Sequence, residues 1–251
     1  MYIIDDNIRL CSTLDMPEKH PEKCPLVIVI HGFTGYSEER HIAAVSQTMN
    51  EMGYATLRVD MYGHGKSEGS FREHNLFKWM NNAMTVIDYA RGLPFVTDLY
   101  LCGHSQGGLT VMLAAGLKPE FIRGIIPMSP AVMIPEMARK GDFLGIKFDP
   151  ELIPEELITD KGLSLSGNYL RAARMIHVED AISRYQGPVL LTHGDADEVV
   201  PYHYSVETAE AYHDARLVTI PDDTHCYDVH LEMVQEAIRQ WLPNQVSGAE
   251  C

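Results

Sequence analysis

Cysteine is scarce and unpatterned: the five in 251 residues are odd in number and include no C-x-x-C pair. That usage excludes a disulfide framework and reads as reduced thiols in a cytoplasmic protein. No H-E-x-x-H string and no Cys/His cluster with zinc spacing occurs, so no metal is expected. G-x-G-x-x-G and P-loop strings are missing too, and no cofactor is expected. Positive charge is in deficit, with 20 Lys+Arg against 35 Asp+Glu and a net charge of −15. The deficit argues against nucleic acid and acidic membrane surfaces as partners. No apolar run reaches the roughly 18 residues of a membrane span. The opening residues Met1-Tyr2-Ile3-Ile4-Asp5-Asp6 lack a basic stretch followed by an apolar core, so no signal peptide is expected in the sequence as it stands.

What is present is enough apolar material, 45% of residues, for one large core of a single α/β domain. Residues 1–16 alternate loosely and suit an edge hairpin. After them, strand-like runs at 26–30, 54–60, 99–102, 124–128, 188–194 and 215–220 are separated by helix-like runs at 38–52, 77–91, 109–117, 202–212 and 228–241. Such alternation predicts a mostly parallel, doubly wound sheet with right-handed crossovers. Ligands then bind at the carboxyl ends of the strands.

The most informative string lies at one such end. Gly103, Ser105 and Gly107 form G-x-S-x-G between a strand-like and a helix-like run. A strand-turn-helix of this kind is a nucleophile elbow, which exposes the serine hydroxyl at a helix N-terminus. A serine hydroxyl is a poor nucleophile at neutral pH and needs a base and a group to orient that base. In this fold they follow in the order Ser, acid, His. Of twelve histidines, His225 stands just after the last strand and before the last helix, which selects it. His230 falls within that helix, His203 and His213 flank another, and His20, His41, His74 and His177 read as surface or half-buried residues. For the acid, Asp195 and Asp197 compete in the loop after 188–194. The pattern Gly-x-x-Asp-x-Val-Val-Pro favours Asp197, leaving Asp195 to brace the loop. Oxyanion donors are expected from the N–H of Gln106 and from that of Phe33, in the His31-Gly32-Phe33-Thr34-Gly35 loop after the apolar run at 26–30.

One connection is too long. Residues 131–186 stand where a crossover helix and its loops need roughly half that length. The segment contains Phe143, Leu144, Ile146, Phe148, Leu165, Tyr169 and Leu170, apolar material suited to a pocket roof. The expected organisation is a core of 1–130 and 187–246, a cap of 131–186 inserted after the sixth strand, and a tail at 247–251.

With these motifs in order, the chain resembles the serine α/β-hydrolases over essentially its whole length. The resemblance rests on His31-Gly32-Phe33, the segment from Asp60 through Gly63-His64-Gly65 to Ser67, the elbow, His193-Gly194-Asp195-Ala196-Asp197 and His225. Within that superfamily it is most similar to the compact bacterial cinnamoyl (feruloyl) esterases, which carry this oxyanion loop, a Gly-His-Ser-Gln-Gly elbow and a mid-chain insertion. The resemblance implies the α/β-hydrolase fold, a Ser-His-Asp triad working through an acyl-enzyme, and hydroxycinnamate esters of sugars or quinic acid as the small-molecule substrate. It also implies substrate contacts at Thr34, and at Asp142 and Tyr169, where the family's cap residues meet the phenolic hydroxyl. Other readings stay open: a monoglyceride lipase or short-chain carboxylesterase, a cofactor-free haloperoxidase or acyltransferase, and a non-catalytic hydrolase-fold binding protein. The oligomeric state is open as well, a homodimer included.

Overall fold

The computed structural model describes residues 1–159 and 162–245. The chain opens with an antiparallel hairpin, β1 (Tyr2–Asp5) and β2 (Ile8–Asp15). Then come β3 (Cys24–Ile30), α1 (Arg40–Glu51), β4 (Ala55–Val59), α2 (Leu76–Arg91), β5 (Val96–His104), α3 (Gln106–Leu117) and β6 (Ile122–Met128). Among the described residues these strands join β11 (Val189–Gly194) and β12 (Ala215–Ile220) in one eight-stranded sheet of order β1-β2-β4-β3-β5-β6-β11-β12. β2 meets β4 antiparallel, and every later neighbour pairs in parallel.

β3 is apolar throughout because helices cover both of its faces. Leu26, Ile28 and Ile30 face the core that holds α2 and α3, while Val27 and Val29 face the core that holds α1 and the last helix, α8 (Leu231–Trp241). α8 buries Leu231, Val234, Ile238 and Trp241, a three-to-four-residue spacing that gives it one apolar face. In α3 every residue from Gln106 to Gly116 is buried, so its sequence shows no polar stripe. α2 starts where the Asn75 side chain accepts the Lys78 N–H, 3.0 Å away.

Between β6 and β11 lie α4 (Ile134–Lys140), a hairpin of β7 (Asp142–Phe143) and β8 (Ile146–Lys147), a second pair of β9 (Glu156–Ile158) and β10 (Ser164–Ser166), α5 (Asn168–Ala173) and α6 (Val178–Arg184). The expected cap boundary at 186 takes in α6, yet α6 packs on α3. A Cβ on Gly116 would lie 2.6 Å from Ala181 Cα, so the two helices touch backbone to backbone. By that contact α6 is the crossover helix of the core, and the segment over the sheet ends before it. α7 (His203–Ala211) completes the last crossover. The expected tail at 247–251 lies outside the described residues.

Candidate active site

Ser105 has φ 55° and ψ −118°, a left-handed conformation that a serine adopts only when its surroundings hold it there. Its N–H donates to the Met128 carbonyl at 2.9 Å, and its own carbonyl accepts from Ala131 N–H at 3.0 Å and from Leu109 N–H in the first turn of α3. The flanking glycines are required by contact. A Cβ on Gly103 would lie 2.3 Å from the Gly107 carbonyl oxygen, and one on Gly107 would lie 2.4 Å from the carbonyl oxygens of both Ile30 and His31. Backbone cannot yield there without moving β3 or the elbow. Gly107→Ala is therefore expected to lower stability by about 2–4 kcal/mol, measured as a fall in the urea midpoint.

Asp197 follows β11, and its side chain is fully enclosed. One carboxylate oxygen, Oδ1, accepts the N–H groups of Val199 and Val200, both at 2.8 Å. The other, Oδ2, accepts His225 Nδ1–H at 2.6 Å and His193 Nε2–H at 3.0 Å. Burial alone would push this carboxyl up. The hydrogen bonds from His193, His225 and the Val200 N–H outweigh it and hold the group well below the usual carboxylate range. With Nδ1 of His225 bonded to Asp197, Nε2 is the nitrogen left for Ser105. His193 is placed by Ser205 Oγ at 2.6 Å from its Nδ1.

The His225 loop is fastened from two further sides. Its carbonyl accepts His104 Nε2–H at 2.8 Å. Asp223, fully buried, accepts the N–H groups of Thr224, Val229 and His230 at 2.8, 3.1 and 2.8 Å. Asp195 Oδ1 accepts Asp222 N–H at 2.7 Å and so ties the two loops together.

Ser105 and His225 open into a cavity of about 920 Å³ at the carboxyl ends of the strands. Phe33, Thr34, Glu39 and His104 line it from the core, Met133, Ile134, Phe143, Leu144 and Tyr169 from the inserted segment. Ile146, Phe148, Leu165 and Leu170, also expected in the roof, are absent from this lining, and Leu165 and Leu170 are core residues. Asp142 does not line the cavity. Its Oδ2 pairs with Lys147 across the β7–β8 hairpin. The turn of that hairpin instead projects Leu144 and Gly145 into the lining.

Tyr169 is in the lining, but its hydroxyl donates to Gln106 Oε1 at 2.6 Å. This bond joins the inserted segment to the first residue of the elbow helix. Tyr169→Phe leaves that buried oxygen without its donor and is expected to cost about 1–3 kcal/mol of stability in denaturant melts.

Two histidines expected to be surface or half-buried residues are buried beside the site. His41 lies under His104, ring centroids 4.3 Å apart, and burial followed by the neighbouring His225 lowers it to about 4. His74 packs on Phe33 and Tyr169, and burial lowers it to about 3. His230 precedes α8 and does not lie within it. No group of three or more metal-ligating side chains occurs among the described residues, and no described helix is long and apolar enough to cross a membrane.

A family model described as serine aminopeptidase, S33, matches residues 21–166. The chain belongs to this Hydrolase_4 family. A solved structure titled as ferulic acid bound to Est1E from Butyrivibrio proteoclasticus is 58% identical to this hydrolase, with a TM-score of 0.97 over 99% of this chain and 100% of that one. The human mitochondrial palmitoyl-protein thioesterase ABHD10 is 25% identical over 197 residues, 75% of this chain. The match spans 62% of that curated relative's length. The monoacylglycerol lipase structure from Paleococcus ferrophilus, at 22% identity and a TM-score of 0.70 over 94% of this chain and 99% of that one, shares the fold. The family match and the 58%-identical structure place the chain in the α/β-hydrolase superfamily.

Proposed function

We propose that the protein is a carboxylic ester hydrolase that releases hydroxycinnamic acids through an acyl-enzyme on Ser105. The observation that carries the reading is the Asp197–His225 bond of 2.6 Å beside a strained Ser105 in one cavity. In the first step Ser105 Oγ attacks the ester carbonyl while His225 Nε2 takes its proton. His225 then gives that proton to the leaving alcohol, and water repeats the sequence in reverse. Asp197 holds the tautomer of His225 and stabilises the imidazolium. The N–H groups of Phe33 and Gln106 receive the oxyanion.

Support for the acyl group comes from two sides. Residues of the inserted segment, which acts as the cap, give the cavity an apolar wall of Met133, Ile134, Phe143, Leu144 and Tyr169, suited to a flat aromatic ring. Est1E, so similar over its whole length, has a structure with ferulic acid bound. Thr34 is exposed on the loop after β3 and lines the same cavity, which supports a substrate contact there. Tyr169 contributes its ring to the lining, while its hydroxyl is committed to Gln106 Oε1. The cysteine usage supports a cytoplasmic location.

An ester panel tests the reading. Methyl ferulate and methyl p-coumarate are expected to give kcat/KM at least tenfold above p-nitrophenyl butyrate, monoolein and a palmitoyl thioester. Preference for monoolein would make the protein a monoglyceride lipase instead, and failure of a fluorophosphonate to label Ser105 would leave a binding protein.

A further inference from the structure

We propose that His31 is a positioning residue for the oxyanion site, holding the peptide that carries the Phe33 N–H through a single ring tautomer. The inference rests on the reading that this N–H receives the oxyanion. His31 follows the last residue of β3 and is fully buried. Its two ring nitrogens meet groups of opposite kind. The Met61 N–H donates to Nε2 at 3.0 Å, and since a peptide N–H cannot accept, Nε2 must present its lone pair. Nδ1 lies 2.8 Å from the Gly32 carbonyl oxygen, and since a carbonyl cannot donate, Nδ1 must carry the proton. Only the neutral ring protonated at Nδ1 satisfies both. The other tautomer loses both bonds, and the imidazolium loses the one from Met61.

The Gly32 carbonyl and the Phe33 N–H are opposite ends of one planar peptide. The same carbonyl oxygen accepts Gly35 N–H at 3.1 Å, so His31 and Gly35 grip it together. Fixing the oxygen fixes the direction of the N–H on the other side. Two donors on one carbonyl also polarise the peptide and strengthen its N–H as a donor. The ring has no room to turn, because Trp79 meets it edge-on at 5.1 Å and His64 lies tilted at 5.2 Å. The charged and titratable groups around it are His64, Asp60 and His41. Burial, reinforced by His64, lowers His31 to about 3, so the neutral ring persists at working pH.

An oxyanion exists only in the transition state, so loosening its donor should lower kcat and leave KM nearly alone. His31→Leu is expected to lower kcat for methyl ferulate by about 10–100-fold, a part of the roughly 10²–10³ lost when an oxyanion donor is removed outright. KM should stay within about twofold, and inhibition by a boronic acid transition-state analogue should weaken in parallel with kcat/KM. His31→Asn places its amide donor near the Nδ1 position and should recover most of the loss, whereas His31→Gln, whose longer side chain carries the amide to the Nε2 position beside the Met61 N–H, should not. A purely structural histidine would give Asn and Gln variants ranked by melting temperature alone, with KM moving as much as kcat, and that result overturns the inference. Ring ¹⁵N NMR of the unmutated protein gives a check independent of folding: His31 should be protonated at Nδ1 and bare at Nε2. The opposite tautomer, or an imidazolium at neutral pH, overturns the inference without touching the ester-hydrolase reading. Wild type inactive on every ester removes that reading itself.

Discussion

Ser105→Ala should reduce kcat on methyl ferulate by about a million-fold, and His225→Ala should do nearly the same. The two losses are not additive, because a base without a nucleophile and a nucleophile without a base fail alike. What remains is water attacking an ester held by the cavity and its oxyanion donors. Stability should change little in Ser105→Ala. The backbone bonds from Ser105 to Met128, Leu109 and Ala131 use no side-chain atom, and they hold φ at 55° whichever small residue is present. Ferulate should therefore bind Ser105→Ala in calorimetry about as it binds wild type. A purified Ser105→Ala retaining more than a few per cent of wild-type turnover would place the nucleophile elsewhere.

The elbow was legible because its constraint is local. Strand, turn and helix are contiguous, and both glycines are required by backbone within a few ångströms of them. The core strands were legible for a similar reason. The buried run in β3 leaves no other periodicity to compete with it, and the two faces divide cleanly between two cores. Of the two aspartates that compete in the sequence, Asp197 reaches His225 and Asp195 reaches the Asp222 N–H, a difference that no local pattern sets.

What escaped is tertiary. β7 and β8 are two residues each and β9 and β10 three, too short for an alternation to register. The pairing of Asp142 with Lys147 turns a carboxylate that looked like a phenol acceptor toward its own hairpin. Tyr169 finds Gln106 across 63 residues, a contact no local pattern announces. His41 and His74 are buried because His104 and the Phe33–Tyr169 pair stand over them, which depends on the packed molecule and on no property of the histidines themselves. The inserted segment was visible by its length, but its end was not. α6 belongs with the core through its contact with Gly116, a residue some sixty positions earlier.

Asp197→Asn should lower kcat/KM by about ten-thousand-fold, roughly 5 kcal/mol of transition-state stabilisation, through a tautomer error. The surroundings decide which way the new amide points. Val199 and Val200 both direct N–H groups at Oδ1, so the amide oxygen must take that place. The NH₂ group then occupies the Oδ2 position and faces His225 Nδ1 and His193 Nε2, both of which donate to Asp197 in the wild type. His225 can accept from an NH₂ group only by moving its proton to Nε2, and a protonated Nε2 cannot take the proton of Ser105. KM should change little, since Asp197 is enclosed and touches no substrate. Stability carries a second signature. A carboxyl depressed in the folded state adds stability that is present above its unfolded value, about 3.9, and is lost as pH falls through the folded value. Asp197→Asn should therefore flatten the acid side of the stability profile, with the two proteins converging at low pH. Asp195→Asn, which disturbs only the bond to the Asp222 N–H, should stay within about tenfold of wild-type activity and keep the acid profile. The reverse ranking of the two variants would assign the orienting carboxylate to Asp195, and equal small effects would remove the acid from the mechanism.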